Sequence, residues 1–572
     1  MNRKIEIKEI FNIAYQNHTQ KKFENAKNYY EQILKIEPEH FDTNCLLGTL
    51  YLQTKQFDNA KIKFQKAIQI QPNHSALCNN FGATLVELKE YEKAMKYFEK
   101  AIQIQPDFAE AYNNLGSILK ETEQHEKAMK YFQKAIQFEP KLTDAHFNLG
   151  VIFKELANFE SAINCFNKVI QIDPRYIKAY QNLMESYERI NQPKKLNETI
   201  LNAKKFLKDN PVIKLYEAII LYNNNKFSES KDSLESISFR DTDIKSEITR
   251  LLTLARCYDR IEDSENAYKY FTKVNNLSPK LYKINLFDKS KFLKSIEIRT
   301  KFFAQPKVKQ WKTLKSSSTK PDPVFLIGFP RSGTTLLDTV LRSHSKIEVI
   351  EEKPMVHKLV ASLNELPKGG LEDLENINSD QLEKIKKVYF DCLETQIKDI
   401  KSSKIYIDKF PLNIIYVGEI LRIFPNSKFI LSIRHPYDCV LSCFMQNFAI
   451  NNAMANFLDL NDAAYLYDVV MKLWIQYISN FKINYHEVKY ESLIENFEPT
   501  IKSVLNFLEL PWSNSVLEYT TSAKKRKNIA TPSYNQVTKP IYSHARGRWK
   551  KYEKQISNIY PILEPWLKKF DY

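Results

Sequence analysis

Apolar and small residues recur every 34 residues along the first half of the chain, starting near Ile10. Each of five successive units has a small residue, an alanine and an aromatic residue at 24, 12 and 8 residues before a closing proline. The closing prolines are Pro38, Pro72, Pro106, Pro140 and Pro174. This period predicts two helices per unit, with small residues where the helices touch, a ring wedged between them and proline ending the second helix.

The pattern resembles that of tetratricopeptide repeats. A less regular stretch follows at 178–241, and a last unit is marked by Ala255, Ala267, Phe271 and Pro279. The resemblance implies about eight repeats in a right-handed α-solenoid over residues 1–282.

Asparagines recur two residues before the small position of most units, and Leu46 interrupts the series. They are Asn12, Asn80, Asn114, Asn148 and Asn182. We expect them to line the concave face, where side-chain amides can bind an extended peptide backbone. The alternative is that they bond within the fold. The repeats are therefore predicted to recruit a peptide or protein.

The second half alternates strand and helix patterns. Residues 283–322 have helical spacing and then a polar, proline-terminated run, so they predict a helix capping the solenoid and a linker. Apolar runs at 324–327, 404–408 and 428–433 each precede a helical pattern. An α/β domain with a parallel sheet is predicted for 323–572, with its ligands where the strands end.

Residues 328–335 read GFPRSGTT and follow the first of these strands. The glycines have the spacing of a nucleotide-binding P-loop, whose amides and helix N-terminus bind phosphate. Thr334 stands where the phosphate-bridging lysine belongs, so a nucleoside triphosphatase or kinase is disfavoured. The loop suits a terminal 5′-phosphate, with added charge from Arg331.

A second anion site is predicted after the strand at 428–433. Arg434 ends that strand and Ser442 lies two turns into the next helix, so both side chains can reach one point. Arginine offers a permanent planar charge to a phosphate, and serine adds a neutral hydrogen bond.

Composition is consistent with an anionic ligand. The net charge is +16, and only 10 glycines are present among 572 residues, as in a largely helical chain. The seven cysteines include no CxxC pair, and no apolar run approaches the length of a membrane span. We predict a soluble, cytoplasmic protein with reduced cysteines, no transmembrane segment, no metal and no nucleic-acid partner.

The C-terminal half resembles sulfotransferases, and tyrosylprotein sulfotransferases in particular. The matching segments are FPRSGTT, the pair Glu351-Glu352, DKFPLN, RIFPNSKFILSIRHPYD, VKYESLI and SYNQVTKPIYSHARGRW. The resemblance implies a co-substrate, 3′-phosphoadenosine 5′-phosphosulfate (PAPS), and transfer of its sulfuryl group to a hydroxyl. The complete layout is similar to that of fusions between tetratricopeptide repeats and a sulfotransferase.

The resemblance also implies roles for individual residues. The 5′-phosphosulfate would be held by Arg331, Ser332, Gly333, Thr334 and Thr335. The 3′-phosphate would be held by Arg434 and Ser442. Further cofactor contacts would come from Tyr490, Ser533, Lys539 and Arg548, the last standing where the family has lysine. Glu351 would be the base and Lys409 the catalytic cation.

Some choices stay open at this stage. Glu351 and Glu352 are adjacent, so at most one is expected to point into the site, and His357 or His344 would replace them if the domain worked like small-molecule sulfotransferases. Gln446 and the pair His435-Pro436 depart from the family pattern. The acceptor can be a tyrosine, a sugar, a lipid or a small molecule. The competing function is a non-catalytic adaptor with a nucleotide-binding domain.

Overall fold

The computed structural model describes residues 2–190, 192–281, 287–311, 314, 320–397, 404–525 and 546–572. The chain divides into two compact units, residues 1–213 and 214–572. Each unit is built around its own core of buried apolar side chains.

The first unit is a series of antiparallel helical hairpins. Its helices are α1 (Asn2–Thr19), α2 (Phe23–Ile36), α3 (Phe41–Gln53), α4 (Phe57–Ile70), α5 (Ser75–Glu87), α6 (Tyr91–Ile104), α7 (Ala109–Glu121), α8 (His125–Phe138), α9 (Thr143–Glu155), α10 (Phe159–Ile172), α11 (Ile177–Arg189) and α12 (Pro193–Phe206). Two helices per 34-residue period is the predicted arrangement, and the helical-repeat prediction is confirmed.

The small and aromatic positions of the repeat meet in the interior of each hairpin. A Cβ atom added at Gly82 would lie 2.7 Å from the Phe98 ring, and one at Gly116 would lie 2.9 Å from the Phe132 ring. Both rings are completely buried. Glycine is therefore required at these two positions, because any side chain would displace the ring.

The turns inside these hairpins share one backbone conformation. A residue with positive φ follows the first helix of each of the first five hairpins: Lys21, Lys55, Lys89, Glu123 and Ala157. The next amide then bonds back into the helix, as Gln56 N does to the Tyr51 carbonyl at 2.8 Å. The turn satisfies helix-terminal carbonyls at some conformational cost, because none of these residues is glycine.

The second unit begins inside α13 (Pro211–Asn223) and continues with helices. They are α14 (Phe227–Glu235), α15 (Ile244–Arg260), α16 (Ser264–Leu281) and α17 (Lys289–Phe303). The hairpin α15–α16 carries the last repeat signature. The contacts thus divide the chain earlier than the boundary predicted at residue 282.

Helix α17, predicted to cap the solenoid, packs into the α/β domain instead. Arg299 donates to the completely buried carboxylate of Glu419 at 2.8 Å. Phe303 lies against Gly418, where a Cβ would collide with the ring. The helical spacing of 283–322 indicated a helix but did not show which core the helix joins.

The α/β domain is organised around a five-stranded parallel sheet. Its strands are β1 (Val324–Gly328), β2 (Ile347–Glu351), β3 (Ile405–Lys409), β4 (Lys428–Ile433) and β5 (Asn484–Lys489), in the order β2-β3-β1-β4-β5. The predicted fold class is confirmed. Sequence patterns identified β1, β3 and β4, whereas β2 and β5 were not recognised as strands.

Helices and 3₁₀ turns cover the sheet. They include α18 (Thr334–Leu341), α19 (Met355–Leu363), α20 (Ser379–Glu394), α21 (Val417–Ile423), α22 (Pro436–Phe444), α23 (Leu460–Asn480), α24 (Tyr490–Glu495), α25 (Phe497–Phe507), α26 (Tyr519–Lys525), a 3₁₀ turn (Arg548–Tyr552), α27 (Glu553–Ile556) and α28 (Tyr560–Lys569). Within the described part of the chain, no helix has the length and apolar character needed to cross a membrane.

Candidate active site

Several of the predicted site residues lie at or near the carboxyl ends of β1 and its neighbouring strands. The strand order switches there, because β2 and β3 lie on one side of β1 whereas β4 and β5 lie on the other. Leu326 of β1 is in register with Lys409, and Gly328 with Ser432, two residues before Arg434. Ligands of open α/β sheets bind at such a point.

The loop between β1 and α18 is closely packed. Gly333 has φ +100° and precedes the first residue of α18, and a Cβ there would lie 2.6 Å from Cδ2 of Tyr490. Arg331 also has a positive φ, of 70°. This conformation turns the loop into the helix N-terminus, where unpaired amides and the helix dipole favour an anion.

The surroundings of the Ser332 hydroxyl indicate whether the loop suits a bound phosphate group. Its side chain is only 1% exposed, and its Oγ has no hydrogen-bond partner among the described residues. The backbone carbonyl of Ser332 accepts from Ser432 Oγ at 2.9 Å, which fixes the loop against β4. An unpartnered buried hydroxyl is costly, and a phosphate oxygen is the kind of acceptor that would relieve that cost. Thr334 and Thr335 begin α18 directly beyond this point.

Two arginines connect this loop to the second predicted anion site. Arg331 Nε donates to Ser442 Oγ at 3.1 Å, and Arg434 Nη1 donates to the Arg331 carbonyl at 3.3 Å. The guanidinium carbon of Arg434 lies 5.0 Å from the centre of the Tyr490 ring. Burial raises the pKa of Tyr490, and the charge of Arg434 opposes that rise. The structure therefore brings Arg331, Arg434, Ser442 and Tyr490 together.

The side chains predicted to act as base and cation, Glu351 and Lys409, lie at the ends of β2 and β3. Lys409 is completely buried, and its Nζ lies 3.4 Å from Glu351 Oε1 and 2.8 Å from Glu352 Oε1. Burial alone lowers the pKa of Lys409, but the charges of Glu352, Glu351 and Asp338 outweigh it, so the pKa is raised. Lys409 is thus a permanent cation at neutral pH.

Both glutamates approach this cation, contrary to the expectation that at most one would point into the site. Glu351 ends β2 and is 9% exposed. Glu352 has φ 51°, and its amide donates to the Lys409 carbonyl at 2.8 Å. The left-handed residue ends the strand alternation, so consecutive side chains no longer point to opposite faces.

The histidine alternatives lie in different surroundings. His344 is buried, and both of its ring nitrogens have backbone partners, the Lys346 amide and the Pro511 carbonyl. His357 packs against the rings of Phe410 and Tyr416, with ring centres 5.0 and 5.5 Å away, and burial lowers its pKa. His344 is occupied structurally, whereas His357 flanks the residue that follows Lys409.

The C-terminal residues assigned to the cofactor are placed differently. Arg548 pairs with Asp259, with its Nε 3.0 Å from Oδ1. Ser533 and Lys539 lie outside the described residues. Sequence reasoning missed Asp438, which accepts from the amides of Gly547 and Trp549 at 2.6 and 2.8 Å.

Two cysteine thiols also support the loop, and no motif pointed to them. Cys439 and Cys443 lie one turn apart on α22, and both sulfurs are 3.2 Å from the Pro330 carbonyl. Burial raises the pKa of the Cys439 thiol to about 12. The thiols are therefore protonated at neutral pH and can donate to the loop.

Within the first unit, asparagines of the predicted ladder bond between helices. Asn114 Nδ2 donates to Asn79 Oδ1 at 2.9 Å, and Asn148 Nδ2 donates to Asn113 Oδ1 at 3.2 Å. Asn182 accepts from Lys154. Asn12 is exposed and Asn80 is partly exposed. At Asn114, Asn148 and Asn182 the amides thus have partners within the fold, which was the alternative interpretation.

Comparison with known proteins supports both halves of this description. Residues 323–514 match a family model described as Sulfotransferase family. Tetratricopeptide repeat models match 82–123, 109–142, 143–176 and 249–281. Residues 19–101 match a model described as Anaphase-promoting complex, cyclosome, subunit 3. The chain therefore carries tetratricopeptide repeats followed by a sulfotransferase-family domain.

Individual relatives are distant. An uncharacterised protein of Aquifex aeolicus is 30% identical over 329 residues, which is 56% of this chain and 41% of that protein. Protein-tyrosine sulfotransferase 1 of Danio rerio is 25% identical over 265 residues, or 44% of this chain and 72% of that enzyme. The chain thus spans about two fifths of the Aquifex relative. Among solved structures, MamA is 22% identical with a TM-score of 0.27, covering 29% of this chain and 97% of its own.

Proposed function

We propose that this protein is a PAPS-dependent sulfotransferase that moves a sulfuryl group to an acceptor hydroxyl. The observation that carries the proposal is the buried Lys409 between Glu351 and Glu352, at the sheet edge that also presents a lysine-free phosphate loop. A sulfotransferase-family match over residues 323–514 supports the same chemistry.

The cofactor would be held at its two phosphate ends. The loop amides, Ser332, Thr334 and Thr335 would bind the 5′-phosphosulfate, and Arg331 would add charge. Arg434 and Ser442 would bind the 3′-phosphate, beside the ring of Tyr490. Charge-assisted hydrogen bonds of this kind contribute roughly 1.5–3 kcal/mol each, so cofactor selection would rest mainly on the arginines.

Bound PAPS supplies the sulfuryl group. Glu351 would accept the proton of the acceptor hydroxyl as its oxygen bonds to sulfur, and the bond between sulfur and the 5′-phosphate oxygen breaks. Lys409 would stabilise the negative charge that grows on the departing phosphate. Glu352, at 2.8 Å from the same Nζ, would hold the ammonium in place.

We further propose a peptide or protein acceptor, with tyrosine as the first residue to test. Similarity to protein-tyrosine sulfotransferases over 40–44% of the chain supports this choice. The repeats would recruit the acceptor, and Asn12 and Asn80 remain candidates for backbone contacts. A cytoplasmic location is part of the proposal, supported by seven free cysteines.

Transfer of labelled sulfate tests the function. The protein is incubated with sulfur-labelled PAPS and matched peptides that differ only in tyrosine, serine or phenylalanine, and separately with lysate fractions of proteins, glycans and small molecules. Label on the tyrosine peptide supports the complete proposal, and label on glycans or small molecules would change only the acceptor. The product that PAPS leaves is 3′-phosphoadenosine 5′-phosphate, called the bisphosphate below. Tight binding of this bisphosphate without transfer of label to any fraction would favour the non-catalytic adaptor.

A further inference from the structure

The last helical hairpin, α15–α16, contacts the 3₁₀ turn Arg548–Tyr552 near the end of the chain. Arg548 donates from Nε to Asp259 Oδ1 at 3.0 Å, and its Nη2 lies 2.9 Å from Oδ2. The Tyr552 hydroxyl donates to the same carboxylate at 2.8 Å. Asp259 lies in the last turn of α15, where a negative charge opposes the helix dipole. The bidentate pair with Arg548 compensates that charge.

The same segment is fixed from its other side by α22. Asp438 in the first turn of α22 accepts from the amides of Gly547 and Trp549. Ser442, which contacts Arg331, lies one turn further along this helix. Residues 547–552 thus form a bridge from the last repeat hairpin to the helix proposed to hold the 3′-phosphate.

A second set of contacts joins α16 directly to the end of α22. The buried Asn275 donates from Nδ2 to the Phe444 carbonyl at 3.0 Å, which satisfies a carbonyl at the helix C-terminus. The Tyr268 ring stacks on Phe444 with ring centres 5.2 Å apart. Ser278 donates to Asn447 at 3.3 Å. The hairpin therefore holds α22 at both ends: indirectly at the start, through residues 547–552 and Asp438, and directly at the end, through Phe444.

We propose that Asp259 and Asn275 are positioning residues of the cofactor site, and that Arg548 acts through Asp259 instead of touching the cofactor. This inference rests on the proposed function. Its physical basis is the sub-ångström placement that a phosphate site needs: Ser442 lies on α22 and Arg434 stands two residues before its start, so a shift of this helix displaces both. The last repeat is then part of the catalytic unit and not only a docking module.

A charge exchange in the full chain separates this role from direct cofactor contact. Asp259→Arg and Arg548→Asp should each weaken binding of 3′-phosphoadenosine 5′-phosphate, measured by calorimetry, by about 10-fold or more. The double variant restores the ion pair in reverse and should bind within about threefold of the wild type. If Arg548 contacted the phosphate, the double variant would stay as weak as Arg548→Asp, and the proposal would be wrong.

A milder variant covers the case in which the exchanged chain does not fold. Asp259→Asn keeps the shape but removes the charge, and we expect about 10-fold weaker bisphosphate binding with a raised KM for PAPS and a nearly unchanged kcat. Glu262→Gln is the matched control, because Glu262 and Lys551 form an exposed ion pair, which contributes little to stability. Wild-type affinity in Asp259→Asn would overturn the inference. Absence of bisphosphate binding by the wild type would instead contradict the proposed function.

Discussion

The ammonium of Lys409 lies 3.4 Å from the carboxylate of Glu351, joining the ends of two neighbouring parallel strands. The register pairs these residues directly, so the contact follows from strand pairing and does not depend on a loop. A base and a cation on rigid elements are held more precisely than on loops, which suits in-line transfer between two oxygens.

We predict that Glu351→Gln lowers turnover by roughly 10²–10⁴-fold, the range of a positioned general base, and leaves bisphosphate affinity near the wild-type value. The amide keeps the shape of the side chain but cannot accept a proton. Steady-state kinetics with calorimetry measure both quantities.

Glu352→Gln is the matched comparison, since Glu352 contacts the same ammonium at 2.8 Å. We expect a smaller loss of turnover from weaker placement of Lys409. A larger loss in Glu352→Gln than in Glu351→Gln would assign the base to Glu352. If neither change matters and His357→Ala abolishes turnover, His357 is the base and the acceptor search moves to small hydroxylated compounds.

Arg331 is predicted to select the cofactor. Arg331→Ala should weaken both bisphosphate binding and turnover, because its charge meets the phosphosulfate before the reaction begins. Loss of one charge-assisted contact corresponds to roughly 1.5–3 kcal/mol, or about 10- to 150-fold in Kd.

ATP serves as the comparison ligand for the same site. The wild type should bind it weakly, since the loop has Thr334 where a triphosphate needs lysine and ATP lacks the 3′-phosphate. Equal affinities for ATP and 3′-phosphoadenosine 5′-phosphate would contradict this account of selectivity.

The sequence predicted those parts of the molecule that local patterns encode. The repeat period determined the hairpins, because Gly82 and Phe98 must meet for two helices to cross. The loop at 328–335 was recognisable because phosphate loops require glycine at fixed spacing. Strand β5 was missed because Val488 is its one buried side chain. An edge strand that is largely exposed lacks the apolar run of a central strand.

Long-range partners could not be predicted from local pattern. Arg548 and Asp259 are 289 positions apart, and nothing near either residue indicates the other. The left-handed conformation of Glu352 could not be predicted either, because a non-glycine residue gives no signal for positive φ. This conformation allows both glutamates to reach Lys409. Resemblance to a family assigns a role to each residue that matches a motif position. The structure shows which partner the side chain of that residue contacts.

The stability of the second unit is predicted to depend on the protonation of Asp408. Burial raises the pKa of Asp408 to about 7, and the hydrogen bond from Tyr389 opposes part of that rise. The folded state then binds more protons than the unfolded chain between about pH 4 and pH 7. The free energy of unfolding should therefore fall as pH rises through this window and level off above it.

Asp408→Asn should remove this decline, which is of the order of 2–4 kcal/mol between pH 4 and pH 8. Denaturant unfolding of both proteins across this range measures the difference. Asp391→Asn, an exposed acid on α20, is the control and should follow the wild type. An Asp408→Asn curve parallel to the wild-type curve would show that Asp408 titrates normally.

The point at which the chain can be divided follows from Arg299 and Glu419. A fragment that begins at residue 315 lacks Arg299 and Phe303, which leaves Glu419 buried with a charge and no cation, and exposes the apolar surface at Gly418. Loss of one partner of a buried ion pair costs about 3–5 kcal/mol, a large share of the stability of a domain. We predict that this fragment is insoluble, whereas a fragment of residues 210–572 folds and binds the bisphosphate.

Substitutions in the full chain separate the ion pair from the apolar contacts. Arg299→Met should lower the midpoint of unfolding sharply, and adding Glu419→Gln should recover much of the loss, because no buried charge is then left unpaired. The exposed pair of Lys301 and Glu297 on the same helix is the control, and Lys301→Met should change the midpoint little. A soluble fragment 315–572 with wild-type bisphosphate affinity would place the boundary after α17, since neither Arg299 nor Phe303 would then be needed for the fold that holds the cofactor.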